Sequence, residues 1–220
     1  MSTLKSCAML VAAAATVGAP VWAVDWRAPP VVWRSCAGCH GIDGNSQSPM
    51  MPRLAGQQSE YLENVMAAYR LARGPQIDWV PFLSTEEKPG ARTGPMARLA
   101  MIGPAHYADE ADTKTAIDWY SKQKPAPPRA ASPSDAVARG AKIYAEGIQD
   151  ENVAACVTCH GPEAQGRGKY PRLAGQHADY LTNQINLLAS GERQSTLMGP
   201  TAHALNKGEI EALVTYLTQL

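Results

Sequence analysis

Two short strings in the sequence place a pair of thiols next to an imidazole. Cys36-Ala-Gly-Cys39-His40 recurs 120 positions later as Cys156-Val-Thr-Cys159-His160. The pattern Cys-x-x-Cys-His is the attachment signature of haem c, because the two thiols bind the haem covalently and the adjacent histidine binds its iron. The sequence therefore predicts two covalently bound haem c groups, with His40 and His160 as iron ligands.

Two other uses of paired cysteines explain these strings less well. Disulfides are common in exported proteins, but a disulfide does not require a histidine after the second cysteine of each pair. A zinc site also uses Cys-x-x-Cys pairs, but here the two pairs lie in separate repeats, about 120 residues apart. Covalent haem is the interpretation that uses both cysteines and the histidine of each string.

Each half of the sequence also offers a methionine for the opposite side of the iron. Met101 begins Met-Ile-Gly-Pro and Met198 begins Met-Gly-Pro, and Tyr120 and Tyr216 follow them after 19 and 18 residues. A thioether opposite an imidazole favours reduced iron and raises its potential. We therefore predict Met101 and Met198 as distal ligands. Met96 is the alternative in the first half, although it breaks the spacing of the repeat.

The sequence contains three further histidines, two of which are alternatives to the methionines as iron ligands. His106 and His203 each follow a candidate methionine by five residues, and two imidazoles on one iron would give lower potentials. The methionines fit the repeat better, so we predict that both histidines are partly exposed or contact a haem propionate. His177 has no counterpart in the first half, and we predict that it lies at the surface.

A second repeated string follows each haem motif. Pro52-Arg53-Leu-Ala-Gly-Gln57 recurs letter for letter as Pro171-Arg172-Leu-Ala-Gly-Gln176. A histidine that binds a metal normally donates its other ring N–H to a carbonyl or carboxylate, and the prolines are candidates to supply that carbonyl. The arginines are candidates to pair with haem propionates. The alternative is a rigid turn that serves folding alone.

The apolar residues recur at helical spacing, with no sustained alternation typical of strands. We predict helices around residues 61–69, 109–122, 136–146 and 180–188, and a closing helix that Asn206 and Glu209 cap. The fold class is therefore all-α, with two tandem domains of similar sequence, each wrapped around a covalent haem. Aromatic residues make up only 6% of the chain, so we expect the haems to supply part of both cores.

The order of segments follows from the repeat and from local composition. Residues 1–23 have the charge, apolar run and small-residue site of a signal peptide, which predicts export to the periplasm. The first domain is predicted at 24–121, a Pro-, Ala- and Ser-rich linker at 122–134, and the second domain at 135–220. The first half carries about 22 extra residues within 74–100, interpreted as a surface loop or as a docking element.

With these motifs, the chain resembles the di-haem cytochrome c4 family over nearly its whole mature length. The resemblance implies two class I cytochrome c domains with axial pairs His40–Met101 and His160–Met198. The first domain departs from the pattern at its start, where Pro29 and Pro30 leave little room for a long helix. The family implies electron transfer from quinol-oxidising complexes or dehydrogenases to terminal oxidases.

We therefore expect an electron-transfer protein of the periplasm rather than an enzyme. Its partners would be redox proteins, with docking at a membrane complex among the interactions considered, and its balanced 20 basic and 20 acidic side chains do not favour nucleic acid. Two alternatives remain open at this point. The chain is a cytochrome subunit of a periplasmic dehydrogenase acting on thiosulfate or an alcohol, or it is a di-haem enzyme with one open haem.

Overall fold

The computed structural model of the chain describes residues 27–71, 100–128 and 134–220. The predicted signal peptide, Met96 and nearly all of the predicted insertion at 74–100 lie outside these residues. Within them, the helices are too short or too polar for any to cross a membrane.

The described secondary structure is helical, which confirms the all-α prediction. The first half contains α1 (Ala37–His40), α2 (Ser59–Leu71), α3 (Ile102–Tyr107) and α4 (Glu110–Ser121). The second half contains α5 (Asp135–Glu146), α6 (Val157–His160), α7 (Ala178–Ser190), α8 (Met198–Ala204) and α9 (Lys207–Leu217). A 3-10 turn at Gln149–Glu151 and two isolated bridges, Ile148 with Val153 and Arg167 with Tyr170, complete the second half.

Side chains cap the starts of α4 and α9. Asp109 caps α4 by accepting a hydrogen bond from the Asp112 N–H. At α9, Asn206 accepts from the Glu209 N–H while the Glu209 side chain accepts from the Asn206 N–H. This arrangement is the predicted capping box, and it fixes the start of the closing helix.

The second half is built around the crossing of α5 and α9. Ile143 and Tyr144 of α5 pack against Leu213 and Leu217 of α9 in the largest described core cluster. The helices approach closely at Gly140, where a Cβ atom would overlap the Ala212 carbonyl. Absence of a side chain at this position is therefore a condition of the crossing.

The described part of the first half differs from the second half in the segment ahead of the haem motif. Among the described residues, a π-helical turn, Val32–Cys36, leads directly into α1, and the Val32 N–H donates to the Pro29 carbonyl at 2.9 Å. The core beneath it contains Val31, Val32, Ala116 and Tyr120, and is smaller than that of the second half. Among the described residues ahead of this haem motif, no separate helix corresponds to α5.

Substitution of Gly140 by Ala tests this crossing. The new methyl group has to push α5 away from α9, and overpacking of this type costs about 1–3 kcal/mol of unfolding free energy. Chemical denaturation of the haem-loaded protein, followed by far-UV circular dichroism, measures the change. Gly208→Ala on α9 is the control, because the nearest atoms lie 3.5 and 3.6 Å from its new Cβ. Equal losses in both variants would contradict the proposed close approach.

Candidate haem-binding site

Both candidate iron ligands are buried at the ends of four-residue helices. His40 ends α1 and is 6% exposed, and His160 ends α6 and is 5% exposed. Nδ1 of His40 donates to the Pro52 carbonyl at 2.9 Å, and Nδ1 of His160 donates to Pro171 at 2.9 Å. Burial lowers the pKa of both histidines, which favours the neutral imidazole. In each half, Nε2 is the ring nitrogen left for a metal.

A residue with positive φ anchors the loop that carries each proline. Gly44 has φ 75° and its carbonyl accepts from the N–H groups of Leu54 and Ala55. In the second half, Ala164 has φ 50° and its carbonyl accepts from the N–H groups that follow Arg172. Because L-residues with a side chain rarely adopt positive φ, this turn is a shared constraint of both sites.

A tyrosine hydroxyl secures the residue after each histidine, but the tyrosines are not equivalent in the repeat. Tyr120 of α4 donates to the Gly41 carbonyl at 3.0 Å, whereas Tyr144 of α5 donates to Gly161 at 2.6 Å. Tyr216, the repeat partner of Tyr120, instead packs against the Tyr144 ring at a centroid distance of 5.6 Å. The repeat aligns Tyr120 with Tyr216, so the sequence did not indicate that Tyr144 makes the bond to the Gly161 carbonyl.

One cavity joins the first candidate site to the second half. Cys36, His40 and Met101 line it, together with apolar side chains of α2 and α4, and it continues to Pro171 and Tyr180. It encloses about 1210 Å³, counting the part that opens to solvent. The lining residues come from both halves, so the cavity extends from the first haem motif across the contact between the halves.

Three arginines contribute positive charge to the lining of this cavity. Arg53, Arg172 and Arg193 line it, and among the described lining residues there is no Asp or Glu. Arg53 donates from Nη1 to the Gly175 carbonyl at 2.7 Å, but its buried Nε has no partner. Guanidinium groups pair well with carboxylates. The orphaned Nε and the surplus of positive charge therefore fit the two propionates of a haem.

Arg193 was missed by the sequence analysis. Its guanidinium donates to Gln184 at 2.8 Å and to the Tyr61 hydroxyl of the other half at 3.4 Å. It follows α7 in a stretch without a repeat counterpart, so no motif marked it.

The remaining candidates lie in different surroundings. Met198 is the first residue of α8, which packs against α7, and it does not line the cavity of the first half. His106 and His203 are exposed on α3 and α8 and do not line that cavity either. Nδ1 of His203 contacts the Ala189 carbonyl at 3.3 Å.

The motif cysteines form neither a disulfide nor a metal cluster among the described residues. The cysteines of both motifs carry free thiols, so none of them is held in a disulfide: Cys36, Cys39, Cys156 and Cys159. Within the described residues, no three His, Cys, Asp or Glu side chains form a metal-binding cluster. The geometry therefore gives the zinc alternative no ligand set.

The two halves meet through a reciprocal pair of glutamines. Gln176 donates from Nε2 to the Arg53 carbonyl at 3.0 Å and accepts from the Arg53 N–H at 2.9 Å. Gln57 makes the same pair with Arg172, at 3.0 and 2.7 Å. Both glutamines are buried. The repeated string at the end of each haem loop thus also forms the contact between the halves.

His177 corrects a prediction, because it is half-buried in this contact and not a surface residue. Its Nε2 donates to the Ser46 carbonyl at 2.9 Å and lies 2.9 Å from the Ser46 hydroxyl. Gln58 occupies the corresponding place in the first half and donates to the Gln165 carbonyl at 2.9 Å. At equivalent places of the repeat, Gln58 and His177 each donate a hydrogen bond to a backbone carbonyl of the other half.

Comparison with known proteins agrees with this geometry. The sequence pattern of the family described as cytochrome c matches the chain twice, at residues 31–119 and 137–220. Cytochrome c-552 of Acidithiobacillus ferridurans is 31% identical over 218 residues, which cover 99% of this chain and 86% of that protein. The thiosulfate dehydrogenase electron acceptor of Thiomonas intermedia (strain K12) is 31% identical over 215 residues, which cover 94% and 89%.

A solved structure shows the same architecture. Cytochrome c4 of Acidithiobacillus ferrooxidans superposes with a TM-score of 0.69 at 30% identity. The match covers 84% of this chain and 98% of that one.

We expect the contact between the halves to weaken in mild acid because of His177. Burial lowers the pKa of His177 from its ordinary value of 6.5, the Arg53 guanidinium acts in the same direction, and the hydrogen bond to Ser46 and the Asp179 carboxylate oppose it. The packed state therefore binds fewer protons than the separated state. Its full stability is present above pH 6.5 and is lost as the pH falls below that value.

Thermal unfolding of the haem-loaded protein from about pH 8 to about pH 5 measures this loss. His177→Gln is the matched variant, because it installs the side chain of Gln58 at the equivalent place. Its unfolding temperature should fall less between these pH values than that of the wild type. Parallel profiles for the two proteins would exclude His177 as the cause.

Proposed function

Because this chain belongs to the cytochrome c family, with the tandem domains of the cytochromes c4, we propose that it carries electrons in the periplasm. It has two covalently bound haem c groups and is an electron-transfer protein rather than an enzyme. The proposed route runs from a quinol-oxidising complex or a dehydrogenase to a terminal acceptor. Export rests on the signal-peptide pattern of residues 1–23.

The residues of each half have separate tasks in this proposal. Haem c, when bound, supplies an iron that cycles between the ferrous and ferric states. The paired thiols would anchor it, His40 and His160 would bind the iron on one side, and Met101 and Met198 on the other. Arg53 and Arg172 would neutralise propionates. We also propose 24–121 and 135–220 as the domain limits, joined by a linker at 122–134.

The surroundings of the two imidazoles carry the proposal. Each Nδ1 is fixed on a proline carbonyl in a buried loop, so neither ring is arranged to exchange a proton with a substrate. The described residues that line the first cavity include no carboxylic acid, and His40 is the sole histidine among them. Apart from the candidate iron ligand, the described lining therefore offers no imidazole or carboxylate, which are common general acids and bases.

A dedicated role beside a dehydrogenase is the second candidate. The Thiomonas intermedia relative, which covers nearly all of this chain, is named as an electron acceptor of thiosulfate dehydrogenase. Stopped-flow reduction of the purified cytochrome by a thiosulfate dehydrogenase and by a quinol-oxidising complex distinguishes the two. Rapid reduction by the dehydrogenase alone would favour the dedicated role, and reduction by neither would contradict both routes.

The distal ligands are tested with single substitutions. Ferric His/Met haem has a weak near-infrared band from the sulfur–iron bond, and the wild type should show it at the intensity of two haems. Met101→Leu and Met198→Leu should each remove about half of the band, lower the potential of one haem and admit cyanide to that haem.

Met66→Leu is the control, because Met66 lines the same cavity as Met101. It should keep the whole band. Should Met96→Leu remove half of the band while Met101→Leu leaves it whole, Met101 would be the wrong assignment.

A further inference from the structure

Each glutamine of the contact reaches a peptide group that already holds a candidate iron ligand. The Pro52 carbonyl accepts from His40, and the N–H of the same peptide unit, which belongs to Arg53, donates to Gln176 Oε1. His40 and Gln176 therefore bind opposite ends of one peptide group. They come from different halves of the chain.

The second half repeats this arrangement in the opposite direction. The Pro171 carbonyl accepts from His160 at 2.9 Å, and the Arg172 N–H donates to Gln57 Oε1 at 2.7 Å. We propose that Gln57 and Gln176 are positioning residues that tune the iron ligand of the opposite domain through the shared Pro-Arg peptide group. This inference rests on the proposed function only in requiring that His40 and His160 bind iron.

The physical basis is polarisation along a chain of hydrogen bonds. When a peptide N–H donates, its carbonyl oxygen becomes a stronger acceptor, and the effect is larger in a low-dielectric interior. Gln57 and Gln176 are 6% and 7% exposed. A stronger acceptor at Nδ1 makes the imidazole more basic. A more basic ligand stabilises ferric iron, so each glutamine should lower the potential of the haem in the other domain.

The amide groups are held in position for this task. Gln176 Nε2 donates to the Arg53 carbonyl, and Gln176 Oε1 also accepts from the His177 N–H at 3.0 Å. Gln57 likewise donates to Arg172 and accepts from the Gln58 N–H at 3.0 Å. Bonds at both ends leave each amide one orientation, with its oxygen towards the Pro-Arg peptide.

The test is the potential of each haem in Gln57→Leu and Gln176→Leu, measured by spectroelectrochemistry on the haem-loaded protein. The haems are assigned with the Met101 and Met198 variants. Gln176→Leu should raise the potential of the His40 haem, and Gln57→Leu that of the His160 haem. At the wild-type midpoint, the ferrous-to-ferric ratio of the affected haem should rise about two- to fivefold. Exchange of its ligand Nδ1 proton, followed by NMR, should become faster.

Gln58→Leu is the matched control, because it removes a hydrogen bond between the halves without touching either Pro-Arg peptide. It should leave both potentials unchanged. Gln57→Asn and Gln176→Asn repeat the test with a polar side chain that is one methylene shorter, in case the leucine variants separate the domains. Small-angle scattering reports whether the packing is retained.

The inference requires that each glutamine variant shifts the potential of the haem in the opposite domain. A shift confined to the haem of the mutated domain, equal shifts in both haems, or the same shifts in Gln58→Leu would overturn the inference. Wild-type spectra without two histidine-bound haems would instead remove the proposed ligation. Normal wild-type spectra with unshifted potentials in the glutamine variants would reject this inference alone.

Discussion

The hydrogen bond from each buried histidine to a proline carbonyl is the contact on which both sites depend. α1 and α6 have only four residues each and end at a glycine, so the helices alone do not orient His40 or His160. The ring orientation comes from Pro52 and Pro171, which lie in the loops that follow. In each half, the residue with positive φ and the tyrosine hydroxyl hold this loop against the helix that ends at the histidine. The protein therefore organises each site from a loop, and uses the surrounding helices to fix that loop.

The two halves reach the same local geometry with different packing. In the second half, the long helix α5 supplies Tyr144, which binds the carbonyl after the haem motif. The described part of the first half has no counterpart of α5 ahead of its haem motif, and Tyr120 of α4 makes the equivalent bond. Trp119 adds a second bond from α4, from its ring N–H to the Ile42 carbonyl at 2.7 Å. A buried carbonyl without a donor is costly. In the first half, α4 therefore provides the donors for the Gly41 and Ile42 carbonyls, in place of a helix equivalent to α5.

Sequence reasoning succeeded where the signal is local. The capping box of Asn206 and Glu209 and the helical periods are properties of short segments, and the structure confirms them. Sequence reasoning failed for the contact between the halves. Gln57 and Gln176 were visible only as the ends of a repeated string, because their partners depend on how the halves dock. His177 was assigned to the surface because it lacks a repeat counterpart, although position in the docked structure, and not repetition, decides its burial.

The polar character of this contact explains why the halves adopt one arrangement. The helix pairs that pack extensively lie within a single half, so interlocking helices do not define the docking. The side-chain amide of Gln57 instead pairs with the backbone N–H and C=O of Arg172. The amide of Gln176 pairs with the same backbone groups of Arg53. A shift of one residue would leave buried amide and peptide groups without partners, at roughly 1–3 kcal/mol for each group. An apolar contact would tolerate such a slip. The glutamines therefore provide the specificity that brings the two haem loops back to back.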